Sequence, residues 1–300
     1  MRFGNLNKIF ILLFLILFFC NCKQGTNQKE SSNYNNFVTS NKNIAGAQKV
    51  KKLFYNVPSP LEMASILSKA GVVYKPELLN KPENKSKYLT ISQLALNFGV
   101  YGADLSFARL MDKVQEAIKY LSIIRKISDD LGIPQDQGEY TINRLEENIE
   151  NRDSVLQIIS DTYYSTDSYL KNNERADAAA MIVLGGWIEA IYIATNVIDE
   201  KNPDKDILNC IAEQKFSLNN LIDLINEYKT NKDLNKLAPL LLNLKTIYDK
   251  IEIKYSNNEV INDKQNKTTT IKSKEQIIVT IEQIKEIKKI TTNIRKIIIQ

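Results

Sequence analysis

From residue 58 onward, apolar side chains recur every three or four positions, the spacing that lines them along one face of an α-helix. The runs are separated by residues that favour helix ends. In PSPLEMASILSKAG, Ser59 is placed to cap, Pro60 takes the first helical position where no N–H is needed, Glu62 completes a capping box and Gly71 supplies the stop. VVYKPELLNKPENKSKYL, with two prolines, reads as a long connection. Thr90 and Gln93 form a second capping box, opening a helix through ISQLALNFGVYGADLSFARLMDK. The apolar spacing then resumes through Val114, Ile118, Leu121, Ile124 and Leu131 and stops at GIP, residues 132–134. Stretches at 138–149 and 153–171 keep the same rhythm, and helices near 205–229 and 233–256 follow a long apolar run. No segment reads as the polar–apolar alternation of a half-buried strand. The pattern predicts an all-α protein, a helical bundle or an array of antiparallel helical hairpins around a central apolar helix.

That central helix is the run at 176–199, ADAAAMIVLGGWIEAIYIATNVID. Ala178 to Ile198 as a helix covers about 30 Å, enough to cross a bilayer. Composition points the other way. Glu189 stands near the middle, where an ionised carboxylate costs on the order of 3 kcal/mol to insert. Asp177, Asp199 and Glu200 flank the run where basic clusters would orient a span. A helix apolar nearly all round is predicted to sit inside a helical domain.

Its polar positions fall in a line: Gly185, Glu189, Tyr192, Asn196 and Asp199 at i, i+4, i+7, i+11 and i+14. Asn97, Tyr101, Asp104 and Ala108 repeat those offsets on the earlier helix, where Gly99 and Gly102 permit close approach of another backbone. Two such stripes facing one another make Asn97, Tyr101, Asp104, Glu189, Tyr192 and Asn196 the candidate ligand pocket, with Tyr163, Tyr164 and Asp167 at its rim. The competing expectation is structural: the buried carboxyls and tyrosines satisfy one another or an arginine such as Arg175 or Arg109, fixing helix register without binding anything.

Residues 257–274 are polar and are expected to form a mobile linker after an all-helical domain at 53–256. At 275–300, Ile277, Ile281, Ile284, Ile287, Ile290, Ile294 and Ile297 define an amphipathic helix with a basic solvent face. Docking on the protein's own core is the simpler expectation for it; a partner helix or an anionic lipid surface is the alternative.

The N-terminal pattern predicts an address. Arg2 and Lys8 precede an apolar run from Ile9 to Phe19, too short to span a membrane and the right length for the core of a secretory signal. The CNC that follows resembles the cleavage site of bacterial lipoproteins, where a cysteine becomes the acylated N-terminus. Asn21 before Cys22 suits that site better than the bulky Phe19 before Cys20, so Cys22 is the favoured lipidation site and Cys20 the alternative. Residues 1–21 are then a signal peptide, and the polar 22–52 a flexible tether unable to bury enough surface to fold. No acidic run follows Cys22, which favours an outer-membrane protein facing the periplasm over a surface-exposed one.

Composition narrows the chemistry. The chain has no histidine, so imidazole bases, imidazole metal ligands and Ser-His or Cys-His nucleophiles are excluded. Its three cysteines show no zinc spacing, no calcium-loop motif appears, and no cofactor or metal is expected. Cys210 reads as a small buried apolar residue. The formal charge of +5 falls to +3 once Arg2 and Lys8 leave with the signal, a balance that gives no reason to propose nucleic acid as a partner.

SPLEMASILSKAG, LLNKPENKSKYLT, ALNFGVYGADLSFA, ISDDLGI, SDTYYSTDSYLKNNERADAA and LGGWIEAIYIAT together resemble a family of uncharacterised lipoproteins of Bacteroidetes-type bacteria, over roughly residues 53–200. The resemblance implies a helical, membrane-anchored envelope protein and carries no reaction with it. The expected function is a non-enzymatic binding or scaffolding lipoprotein whose partners are the bilayer, through its acyl anchor, and an envelope protein or small ligand. The alternative is a carboxylate-dependent hydrolase of envelope or imported glycans, with two of Asp104, Asp167 and Glu189 as acid and base.

Overall fold

The computed structural model describes residues 60–133, 175–263 and 268–300 and isolated positions between 143 and 173, with the backbone alone at 60–62 and 255–275. Its helices are α1 (Pro60–Lys69), α2 (Ile91–Leu110), α3 (Val114–Asp130), α4 (Ala176–Val197), α5 (Lys205–Glu227), α6 (Lys232–Tyr248) and α7 (Ile281–Ile298), with two short 3-10 turns, Pro76–Leu78 and Pro82–Lys87, between α1 and α2. Among the described residues the protein is all-α apart from one two-stranded ribbon. The expected signal peptide and tether, Cys20, Cys22, Ser59, the expected helices at 138–149 and 153–171 as wholes, and Tyr163, Tyr164 and Asp167 lie outside the described residues.

Helix ends fall where their chemistry places them. Thr90 Oγ1 accepts from the Gln93 N–H while the Gln93 side chain accepts from the Thr90 N–H, closing the capping box of α2. Thr280 and Gln283 repeat that box at α7. Gly71 and Gly132 end α1 and α3 at φ of +68° and +66°, a conformation in which a Cβ is strained.

α4 is the centre of the molecule. Its most apolar 18-residue window is 89% buried inside protein, as expected of a core helix. α2 lies against it with almost nothing between the backbones. A Cβ at Gly99 would stand 2.0 Å from the Ile182 carbonyl oxygen, and one at Gly185 only 1.9 Å from that of Leu96. Contacts advance the same way along both helices, Leu96 beside Gly185 and then the Asp104 carboxyl beside that of Glu189, so the two run parallel. α3 folds back on α2 across the turn at 111–113, and α6 on α5 across 228–231, as antiparallel hairpins. The central pair is no hairpin: its members are joined only through the chain from 111 to 175.

α7 packs on α4 and α6 through Ile284, Ile287, Ile294 and Ile298, and so docks on the protein's own core. The helix expected from 275 begins only at Ile281, with Ile277 in a strand, and its face is slightly rotated, because Ile298 is buried and Ile297 is 47% exposed.

Between α6 and α7 the structure departs from the sequence expectation. The helix expected to reach 256 ends at Tyr248, and 257–263 and 268–274 belong to a ribbon instead of a linker. β1 (Glu252–Asp263) pairs antiparallel with β2 (Thr268–Ile278), from Glu252 opposite Ile278 to Asp263 opposite Thr268. The alternation that should reveal strands is broken by a register irregularity between Ser256 and Glu259, in the polar run SNNE. The β-branched run TTTI at 268–271 is the signal that could have been weighed against that polarity.

Candidate functional site

The two polar stripes do face each other, in the plane where α2 crosses α4. Glu189 and Asp104 are both fully buried. Their nearest cation is neither Arg109 nor Arg175: Arg109 Nη1 pairs with Asp112 at 3.2 Å, and Arg175 Nη1 donates to the Leu131 carbonyl at 2.6 Å. The counter-ion is Arg295 of α7. Its Nε and Nη2 donate to the two carboxylate oxygens of Glu189 at 2.6 and 2.7 Å, a bidentate pair, and Nη2 also donates to the Leu78 carbonyl at 2.8 Å. The guanidinium carbon lies 4.1 Å from the centre of the Tyr192 ring, a cation–π contact on its open face.

Arg295 occupies the apolar stripe of its own helix, eleven residues after Ile284, where a lysine or arginine seldom turns inward unless paired. Reading the helix as simply basic outside hid it. Position on the stripe was the available signal, since Ile284, Ile287, Thr291, Arg295 and Ile298 share one face.

Asn80 is the second member that the connection between α1 and α2 concealed. Its N–H donates to Asp104 Oδ2 at 3.1 Å, and its side-chain amide donates to Tyr88 Oη and to Asn97 Oδ1 at 3.0 and 3.3 Å. Asn97 Nδ2 in turn donates to the Ile298 carbonyl at 2.9 Å, and Tyr88 Oη to that of Ile299 at 3.4 Å. Tyr101 donates to the Lys81 carbonyl at 2.9 Å and packs its ring against Tyr88 and Tyr120. Of the six candidate pocket residues, Asn97, Tyr101, Asp104, Glu189 and Tyr192 are thus brought together. Asn196 bonds locally, its amide donating to the Tyr192 carbonyl of its own helix, while its backbone oxygen accepts from Lys75.

Charge in this dry layer is unequal: two carboxyls face one guanidinium. Burial and then the like charge of Glu189 drive the Asp104 carboxyl well above the usual carboxylate range, and Arg295 and the Asn80 N–H offset this only in part. Asp104 is therefore a carboxyl whose charged form these surroundings disfavour. No N–H or hydroxyl donor engages its buried Oδ1, and Glu189 acts on it first through like charge and then as a hydrogen-bonding neighbour that favours the protonated acid. Burial alone would lower the Arg295 guanidinium, yet the charge and hydrogen bonds of Glu189, with the charge of Asp104, hold it above its ordinary value. The surrounding phenols are pushed up, first by burial and then by neighbouring charge: Tyr74 to about 12, Tyr101 and Tyr120 further.

A cavity of about 10 Å³ lies between α1, α2 and α4, lined by Met63, Leu67, Ala103, Phe107, Ala190 and Ile193, apolar and large enough for one water at most. Among the described residues no cluster of three or more acids or thiols could hold a metal ion. Cys210 is buried with its sulfur 3.2 Å from that of Met63.

Fold and site define a class: an all-α bundle whose central parallel helix pair is closed by a third helix carrying the counter-ion of a buried carboxyl pair. No protein-family model, curated protein or solved structure matches the chain.

Proposed function

We propose that the protein is a lipid-anchored cell-envelope protein, held by a diacylated Cys22 at the outer membrane facing the periplasm, whose helical body binds or scaffolds and catalyses no reaction. One observation carries the proposal: Arg2 and Lys8, the apolar run Ile9–Phe19 and Cys20-Asn21-Cys22 stand in the order of a lipoprotein signal, and a long polar stretch follows them. The resemblance of residues 53–200 to helical envelope lipoproteins supports the same reading. The carboxyls add to it. A glycan hydrolase needs an acid and a base that reach substrate, whereas Glu189 has both oxygens engaged by Arg295 and Asp104 is without exposure.

The test is metabolic labelling of expressing cells with an alkynyl fatty acid. Wild type and Cys20→Ser should carry the label, and Cys22→Ser should lose it and leave the membrane fraction. An unlabelled wild type overturns the proposal. Capture of the labelled protein from envelopes then reports the bound protein or small molecule.

A further inference from the structure

Asp104 and Glu189 are contributed by α2 and α4, whose backbones are locked together at Gly99 and Gly185. The charge that answers them arrives separately, on α7. Besides the packing of Ile294 and Ile298, the polar contacts that fix α7 at its C-terminal end enter the same layer: Arg295 on Glu189 and the Leu78 carbonyl, Asn97 on the Ile298 carbonyl, and Tyr88 on that of Ile299. With α7 docked, the layer is sealed, and two carboxylates against one guanidinium would leave a net negative charge there. Such an uncompensated buried charge is expensive enough that one carboxyl holds a proton instead. Glu189 is committed to Arg295 through both oxygens, so the proton belongs on Asp104, whose carboxyl lies beside that of Glu189 and whose Oδ1 no N–H or hydroxyl donor engages. The other titratable groups that face Asp104 are Tyr74, Tyr101 and Tyr120 beside it and Tyr192 under Arg295. None can serve as a second cation.

We propose that α7 is a pH-sensitive latch: it docks with one proton bound at Asp104, and loss of that proton favours its release from the α2–α4 pair. Water cannot reach the carboxyl by separating α2 from α4, because their backbones touch. α7 joins the bundle through the ribbon and can lift as one element. Once lifted, Asp104 is hydrated and titrates as an ordinary aspartate, near pH 4. The docked form thus binds one proton more than the open form. Docking is strongest below the open-state value and weakens as pH rises toward the raised docked value, by up to about tenfold in opening constant per pH unit, the limit for one proton.

The experiment is hydrogen exchange followed by mass spectrometry on the folded full chain from pH 5 to 8, corrected for the intrinsic chemical rate. Peptides covering 281–298 should lose protection by several-fold to tenfold per pH unit while α4 peptides hold theirs. In Asp104→Asn, which copies the neutral acid, α7 protection should be independent of pH. Equal loss in α4, no pH dependence in wild type, or the wild-type slope persisting in Asp104→Asn each overturns the latch. So does failure of Asp104→Asn to fold, since an isostere of the protonated acid would then not be accepted. Independently, infrared difference spectra of protein labelled with ¹³C-aspartate should show a protonated aspartic carboxyl at pH 7; its absence overturns the proposal.

Discussion

Arg295, Glu189 and Asp104 behave as one unit, and their variants are expected to be unequal. Removing the cation in Arg295→Met leaves Glu189 charged and unpaired in the interior, a loss of about 3–5 kcal/mol. Adding Glu189→Leu to that variant should recover most of the loss, because a buried ion pair replaced by apolar side chains is often close to neutral. Urea midpoints of the two variants measure both effects, and a double variant no more stable than Arg295→Met would mean that the pair is not acting as a pair. Asp104→Asn, by contrast, should stay within about 1 kcal/mol of wild type at acid pH, since it replaces a group that is already neutral in the fold. Two of the unit's three members were legible in the sequence. Glu189 and Asp104 stood out because a carboxyl on an otherwise apolar face requires a partner. Arg295 did not, because its helix carries lysines on the opposite face and a basic residue there blends into them. Asn80 could not be read at all, since its role rests on a backbone N–H in a connection with no periodicity.

The α2–α4 crossing is set by the absence of side chains. An alanine at Gly185 gains helix propensity worth about 1 kcal/mol but would place its Cβ 1.9 Å from the Leu96 carbonyl oxygen, an atom that cannot swing aside. Gly185→Ala should therefore destabilise the fold by about 3 kcal/mol or more through forced backbone separation, read as a fall in melting temperature. A melting point at or above wild type would show that the helices part freely. Gly99 was readable as a site of close approach, whereas its counterpart Gly185 stood in the sequence only as a member of the polar stripe. The direction of the pair was not, because short connections predict antiparallel neighbours and α2 and α4 are not joined by one. The ribbon at 252–278 was missed for a different reason: its pairing is between backbone groups, and the polar run that interrupts its register erases the only periodicity a sequence could show.

For the whole molecule, buried phenols set an alkaline limit. Tyr74, Tyr101, Tyr120 and Tyr248 all titrate above the usual phenol value, chiefly because burial disfavours the phenolate. A folded-state value above the unfolded one means stability is fully present below about pH 10 and is lost as pH rises through the folded values, which begin near 12 at Tyr74. Tyrosinate absorbance should accordingly appear in two stages, exposed tyrosines first and the buried set together with loss of helical circular dichroism. A single smooth titration with the helices intact would contradict that enclosure.

The late position of Arg295 has a consequence for biogenesis. A chain that emerges N-terminus first presents Asp104 and Glu189 long before their cation, and until then both acids are better hydrated than enclosed. Final closure of the interior waits for the segment at 281–298 to arrive, so a partly synthesised polypeptide cannot complete its native structure prematurely.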